Sequence, residues 1–472
     1  MNFIGGEFIG AREGGTFAHV DPSTGAEDLR VADSGLLDVV FAVQAANKAY
    51  QDWSKSSPED RAVFLESAAR LIEERSTVLA EALSRDQGTL LGRARTWSVP
   101  RAAEEFRHHA KILSQAAASP VVRGNVETTT NRLPIGLVGI LTPWVDAIAI
   151  MASRVSAALA AGNVVILKAS EHAPRTAHAF AEILRDTGLP AGVFNLLQGR
   201  GEQAGASLVE HPGISTLSFV GSTETGRLVA RSAAESLKRV HLSLGARNPV
   251  LVFASVDLAT VVPQVAAVTL GAHPRLCWRG SRLFVQDPIY KDFLAAFKSE
   301  VEKWKTGPAL DESSRLGPLA HAGLARRFES VAAQATNERG KWLFGGSGAD
   351  RGAFVNPSAT FDFTLCSTLQ QDEILGPMMT IASFKYQHDA VKQANNSPLG
   401  QAAFVFEKDP EKAAKIALKI EAGRVFVNTS EPTDDIEVST GGLKLSGSGR
   451  ENSDELIKFF SRETTIATSV SR

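Results

Sequence analysis

The apolar positions of this chain change their period along its length. Residues 1–35 carry short apolar runs split by turn clusters such as DPSTG at 21–25, a pattern that predicts brief strands and turns. From 36 to 118 the sequence is alanine-rich and apolar residues recur at helical spacing. Within it, Ser57-Pro58-Glu59-Asp60 reads as a helix start: a capping serine, proline at the first helical position and acids in the first turn. From Leu133 the pattern becomes an alternation. PIGLVGIL is a β-branched run and predicts a buried strand. A helical stretch near 148–161 follows, then the strand NVVILK, a helix over about 174–187, the strand VFNLLQG and a helix over about 202–210. ISTLSFVG is the next strand, GSTETGRLVARSAAE opens the next helix, and NPVLVFA restarts the alternation in the second half. Strands alternating with helices of this length mean an α/β protein with a mostly parallel sheet.

In such sheets ligands gather beyond the carboxyl ends of the strands, and helix N-termini attract phosphate. Two crossings stand out. NVVILK ends at Lys168, with Ser170 and Glu171 just beyond it, and LSFVG ends at Gly221, with Ser222 to Thr225 opening a helix. GSTETG is not the GxGxxG dinucleotide fingerprint, so by itself it reads equally as an ordinary capped helix.

Composition narrows the classes. A chain of 472 residues exceeds one ordinary core and suggests two or three domains. A formal charge of -2 supplies no basic field for nucleic acid. The longest apolar stretches, IGLVGILTPWV and VSAALAAG, are interrupted by Asp146, Arg154 and Asn163, short of the roughly 18 residues of a spanning helix. MNFIGGEFIGARE lacks the basic start and apolar stretch of a secretory signal. Two cysteines, Cys277 and Cys366, make no disulfide framework, which fits a reducing cytoplasmic setting. The ten histidines are scattered and no Cys-x-x-Cys occurs, so no metal site is expected.

Seven stretches, in order, resemble the NAD(P)-dependent aldehyde dehydrogenase superfamily: LTPW (141–144), AGNVVILKASE (161–171), FVGSTETG (219–226), LSLGARNP (242–249), LCWRGSR (276–282), DEILGP (372–377) and GGLKLSGSGRE (441–451). DPSTG, RDQGTLLGRARTWSVPRAAEEFR (85–107) and KFFSRETTI (458–466) look like the subgroup acting on 2-aminomuconic or 2-hydroxymuconic semialdehyde. The resemblance implies an oxidoreductase with a Rossmann-like NAD-binding domain (1–111 and 135–245), a catalytic α/β domain (246–445) and a β-strand arm (115–134 and 455–472) that makes a homodimer or homotetramer. It places Trp144 and Ser222 on the cofactor pyrophosphate, Lys168 and Glu171 on the adenosine ribose and Glu373 on the nicotinamide ribose, with Ser170 and Gly221 in the same two crossings. A carboxylate at Glu171 would repel a 2′-phosphate, which favours NAD over NADP. Arg107 matches the subgroup's arginine for a substrate carboxylate.

The family's chemistry needs a cysteine thiolate, an asparagine amide that stabilises the oxyanion, and a glutamate that activates water. Cys277 matches the nucleophile. Val145 stands where the asparagine is expected, and Ser243 where the glutamate is expected. No arginine lies between Asn428 and Gly441, where the subgroup carries a second carboxylate clamp. Arg275 and Arg279 would favour thiolate if either faced the sulfur; otherwise both are surface residues and Cys277 is a relic of ancestry. His241, on the same strand face as Ser243, and His273 are alternative bases, or else ordinary hydrogen-bonded histidines. Three functions follow: oxidation of a small or medium semialdehyde at a modified site, thiolysis of the acyl-cysteine by coenzyme A, or a non-catalytic homologue that keeps fold and NAD binding.

Overall fold

A computed structural model of the chain describes residues 1–114, 120–271, 277–346, 352–362, 367–430 and 435–470. Two large sheets organise it. The first has eight strands in the order Glu7–Ile9, Asn2–Ile4, Phe194–Leu197, Val164–Lys168, Leu137–Leu141, Thr216–Val220, Arg239–Ser243, Gly447–Ser448. Its five central strands run parallel, and the outer pairings are antiparallel. Leu137–Leu141 and Val164–Lys168 are buried at every residue, which explains their unbroken apolar sequence. The chain runs from Leu137–Leu141 outward in one direction, then returns to place Thr216–Val220 on its other side. The strand order therefore reverses between these two strands, and a crevice opens there beyond their carboxyl ends.

Helices cover the first sheet. Ser57 caps Pro58–Glu74 as its sequence predicts: its hydroxyl accepts from Asp60 N at 3.0 Å, and Asp60 accepts from Ser57 N at 3.3 Å. DPSTG is a turn in which Asp21 accepts from the amides of Ser23 and Thr24. The predicted helix at 202–210 has a wide π-type first turn, Gly201–Gly205, before Ala206–Glu210. Ala147–Ala160, between the two central strands, is buried along almost its whole length. Its one charged residue, Arg154, is 3% exposed.

The second sheet has seven strands in the order Lys341–Phe344, Ser358–Phe361, Met378–Phe384, Gly280–Gln286, Asn248–Val252, Ala402–Phe406, Arg424–Val427. Apolar clusters pack on both of its faces, one centred on Phe293 and Phe297, the other on Phe253 and Phe384. Val121–Arg123, Val126–Pro134 and Ser461–Ser469 form a separate antiparallel sheet with Val121, Val122, Val126 and Ile466 exposed. Among the described residues no helix is long and apolar enough to cross a membrane.

Candidate active site

Four parallel strands of the first sheet deliver their carboxyl ends to one cavity of about 820 Å³. Leu141 and Thr142 come from the first, Lys168 with Ser170 and Glu171 from the second, Val220 to Ser222 from the third, and Ser243 from the fourth. The opposite wall comes from the second sheet's surroundings: Cys277, just before Gly280–Gln286, with Glu373 and Leu375 from the loop before Met378–Phe384. Trp144 and Val145 also line it. The structure thus brings together Cys277 and the seven other residues Trp144, Lys168, Ser170, Glu171, Gly221, Ser222 and Glu373.

Each is held for an identifiable reason. Ser222 caps Thr223–Glu235, its hydroxyl accepting from Thr225 N at 3.2 Å, so the capped-helix reading holds and the cap also faces the cavity. A Cβ on Gly221 would meet the Phe219 ring at 2.5 Å, so any larger residue at this crossing must displace that ring. Lys168 donates to Glu171 at 3.1 Å. Burial lowers the Lys168 ammonium against the pull of Glu171. Burial alone would raise Glu171, but Lys168, a backbone amide and His172 outweigh it and leave the carboxyl below its usual range. Glu373 accepts from Ala246 N at 3.1 Å, and burial raises its pKa. Its carboxylate lies over Gly245, where an added Cβ would come within 2.6 Å.

Next to Cys277, Arg279 is not the surface residue of the second sequence alternative. That guanidinium is buried and donates to the carbonyls of Met378 and Ile374 at 3.1 Å each. It pins the loop that carries Glu373. Burial lowers it to about 10. Asn248 holds the cysteine's backbone, donating to the carbonyls of Cys277 at 2.7 Å and Arg279 at 3.0 Å. Arg247 works like Arg279, bonding the Leu369 and Ser281 carbonyls. Arg275 and His273 lie outside the described residues.

Two other predicted positions fall elsewhere. Arg107 does not line the cavity: it sits on the outer face of Val99–Leu113, its side chain 44% exposed, paired with Glu73 at 2.5 Å. Helical phase explains this, because Arg101, Glu105 and Phe106 occupy the buried face. His241 is buried, bonds the Arg450 carbonyl at 3.1 Å and packs against Phe459. Burial lowers it to about 4, and it is absent from the cavity wall.

Sequence reasoning missed a charged cluster behind Ser243. The Ser243 hydroxyl donates to Glu451 at 2.9 Å, and Glu451 is held in turn by Arg154. Arg154 had a signal in the sequence: it is a single charge in an otherwise apolar helix, and such a charge must find a partner once buried.

The family model for the aldehyde dehydrogenase family matches residues 8–466. This chain belongs to the aldehyde dehydrogenase family. It is 32% identical to 2-aminomuconic semialdehyde dehydrogenase of Danio rerio, over 98% of this chain and 97% of that one. It is 33% identical to an aldehyde dehydrogenase of Enchytraeus buchholzi, over 95% of this chain and 91% of that one. Among solved structures, HpcC from Thermus thermophilus superposes with a TM-score of 0.95 at 35% identity, covering 100% of this chain and 93% of that one. An indole-3-acetaldehyde dehydrogenase solved with NAD+ gives a TM-score of 0.96 at 28% identity, covering 99% and 96%. The chain therefore has the aldehyde dehydrogenase fold.

Proposed function

We propose that this protein is an NAD-dependent oxidoreductase that converts an aldehyde or semialdehyde to its carboxylic acid through a thiohemiacetal on Cys277. The observation that carries this reading is the single cavity shared by Cys277 and the whole cofactor-type set. Residues 1–111 and 135–245 serve as the NAD-binding domain, 246–445 as the catalytic domain, and 115–134 with 455–472 as an arm joining subunits into a cytoplasmic homodimer or homotetramer. The arm's exposed valines and isoleucine support that assignment.

The residues present fit NAD. Lys168 and Glu171 face the ribose, Ser222 and Trp144 the pyrophosphate, and Glu373 the nicotinamide ribose. Glu171, Glu202, Glu210 and Glu235 line the cavity against Lys168 and Arg231, and this net acidic lining disfavours a 2′-phosphate. When bound, NAD supplies the hydride acceptor. The Cys277 thiolate attacks the aldehyde carbon, forming a C–S bond. Loss of hydride leaves a thioester, and water then releases the acid and frees the thiolate.

Val145 cannot donate a hydrogen bond to the developing oxyanion, and Ser243 is a far weaker base than a carboxylate. Losing one oxyanion donor costs ~10²–10³ in rate and losing a general base ~10²–10⁴, without simple additivity. Slow turnover follows. The same two substitutions favour a second reading, a non-catalytic homologue that retains NAD. Arg107 lies outside the cavity wall, so a carboxylate on a semialdehyde substrate would have to be met by another residue.

The test mixes the protein with NAD and a panel of aldehydes and semialdehydes, with and without coenzyme A, and follows NADH in the first turnover. A burst that vanishes in Cys277→Ser supports oxidation at Cys277. Turnover that requires coenzyme A would replace hydrolysis with thiolysis. NAD binding with no NADH from any aldehyde would favour the non-catalytic reading.

A further inference from the structure

The position vacated by the family's glutamate is not isolated. Ser243 ends the strand Arg239–Ser243, lines the cavity with Cys277, and gives its hydroxyl proton to Glu451 Oε1 at 2.9 Å. A hydroxyl has one proton and two acceptor lone pairs. With the proton committed to Glu451, Ser243 can meet a guest in the cavity only as an acceptor. The other Glu451 oxygen is taken by Arg154 Nη2, and a second Arg154 nitrogen donates to Ser153 Oγ at 3.0 Å. Glu451 is fixed in the backbone as well, through paired amide bonds with Thr440 at 2.8 and 2.9 Å. The hydroxyl is therefore aimed by a carboxylate that is itself aimed by a buried guanidinium.

We propose that Ser243, Glu451 and Arg154 form a proton relay that replaces the missing general base in releasing the acyl group from Cys277. The proposal rests on the acyl-cysteine reading above. Ser243 accepts a hydrogen bond from the attacking water. As the water oxygen bonds to the thioester carbon, its proton passes to Ser243 Oγ, and the original Ser243 proton passes to Glu451 Oε1. The carbonyl electron pair moves onto oxygen. Collapse of the tetrahedral adduct breaks the C–S bond and returns the electron pair to the Cys277 sulfur. The products are the free acid, the thiolate and a protonated Glu451, which then gives its proton to solvent. No oxidant or reductant is involved. Ser243 touches the reacting water; Glu451 and Arg154 are positioning residues.

The electrostatics set the strength and the pH range of this relay. Burial would raise the Glu451 carboxyl, but Arg154, then His241, then the two side-chain hydrogen bonds bring it down to about 2. It stays ionised throughout the working range, and it is correspondingly a weak base. Besides Arg154, the titratable group that acts on Glu451 directly is His241 on the Ser243 strand, and His109 on the helix Val99–Leu113 interacts with Arg154. Burial lowers His241 to about 4 and His109 to about 3, so both are neutral above about pH 5. His108 bonds the Ser453 carbonyl at 2.8 Å rather than a member of the relay. Glu451, His241 and His109 therefore keep one charge state from pH 5 to pH 7.

p-Nitrophenyl acetate tests this without NAD or hydride transfer, because it acylates a reactive thiol and releases a coloured leaving group. The wild type is expected to show a nitrophenolate burst that Cys277→Ser abolishes, then a slow steady state limited by loss of the acetyl group. Ser243→Ala and Glu451→Gln are expected to keep the burst and to lower the steady state at least ~10-fold, less than the ~10²–10⁴ of an ordinary general base because Glu451 is a weak one. Ser243→Thr, which keeps the hydroxyl, should stay close to the wild type. The wild-type steady state should be flat from pH 7 down to pH 5. Ser243→Ala leaves the Arg154–Glu451 pair in place, so its result stands even if Glu451→Gln fails to fold. Deacylation at the wild-type rate in Ser243→Ala, or an acid limb near pH 6, would overturn the relay. No Cys277-dependent burst in the wild type would instead overturn the nucleophile reading, and the relay with it.

Discussion

The two ends of the central cavity differ. The end formed by the carboxyl edges of the first sheet carries the residues we propose for NAD, Lys168, Ser170, Glu171, Gly221 and Ser222, and local geometry holds the lysine–glutamate pair and the capping serine. At the end nearest Cys277, the amide and carboxylate expected beside the nucleophile are Val145 and Ser243. Gly221 and Ser222 are tied to the fold, because a crossing and a helix cap depend on them. Val145 and Ser243 hold neither a crossing nor a helix cap, and Ser243 bonds Glu451 instead. Valine and serine fit there without disturbing either sheet, so chemistry can drift where packing cannot.

The comparison breaks most visibly under repair. Val145→Asn together with Ser243→Glu is expected to raise steady-state aldehyde oxidation at least ~10-fold, given the cost of losing each group. The new glutamate would lie beside Glu451, and like charge would raise its pKa toward that of a useful base. No gain would place the limiting loss in the substrate pocket or the cysteine loop. At the cofactor end, Glu171→Ala is expected to weaken NAD binding ~10-fold by calorimetry and to narrow the preference over NADP, because one charge-assisted hydrogen bond contributes about 1.5–3 kcal/mol. Gly245→Ala should have a similar, smaller effect by displacing the Glu373 carboxylate. An unchanged affinity in both would detach this end of the cavity from NAD.

A third comparison uses acid. The folded Glu451 carboxyl, at about 2, lies below its ordinary 4.5. Its stabilisation is therefore fully present above about pH 5 and lost as pH falls toward 2. Glu451→Gln should lower stability at pH 7 and flatten the decline between about pH 5 and pH 3, read from chemical denaturation at each pH. A parallel decline in both proteins would contradict the strength assigned to this pair. The smallest effect is expected at Arg107. Its surface pair with Glu73 contributes about 0–1 kcal/mol, so Arg107→Ala should leave the KM for any aldehyde unchanged. A large rise in KM would return Arg107 to the substrate path.

These contrasts also show what the sequence could express. The central strands were legible because burial on both faces leaves an unbroken apolar run, as in LVGIL and VVILK. The start at Ser57 was legible because a capping box is local. Lys168, Ser170 and Glu171 were legible because they follow a strand end directly. Arg107 and Arg279 were not, since their roles depend on helical phase and on carbonyls about a hundred residues away. Glu451 was written plainly in GSGRE, but its bond to Ser243 spans 208 residues and nothing local announces it.

The most direct test of the whole account is one pre-steady-state trace: NADH formed on mixing the protein with saturating NAD and a reactive aldehyde, with active sites counted by Cys277 alkylation. We expect a burst approaching one NADH per Cys277, followed by turnover much slower than the burst. Such a trace would mean an intact cofactor end and nucleophile joined to a weakened release step. NAD bound but no NADH at any aldehyde concentration would contradict it, and would mark Cys277 as inherited structure.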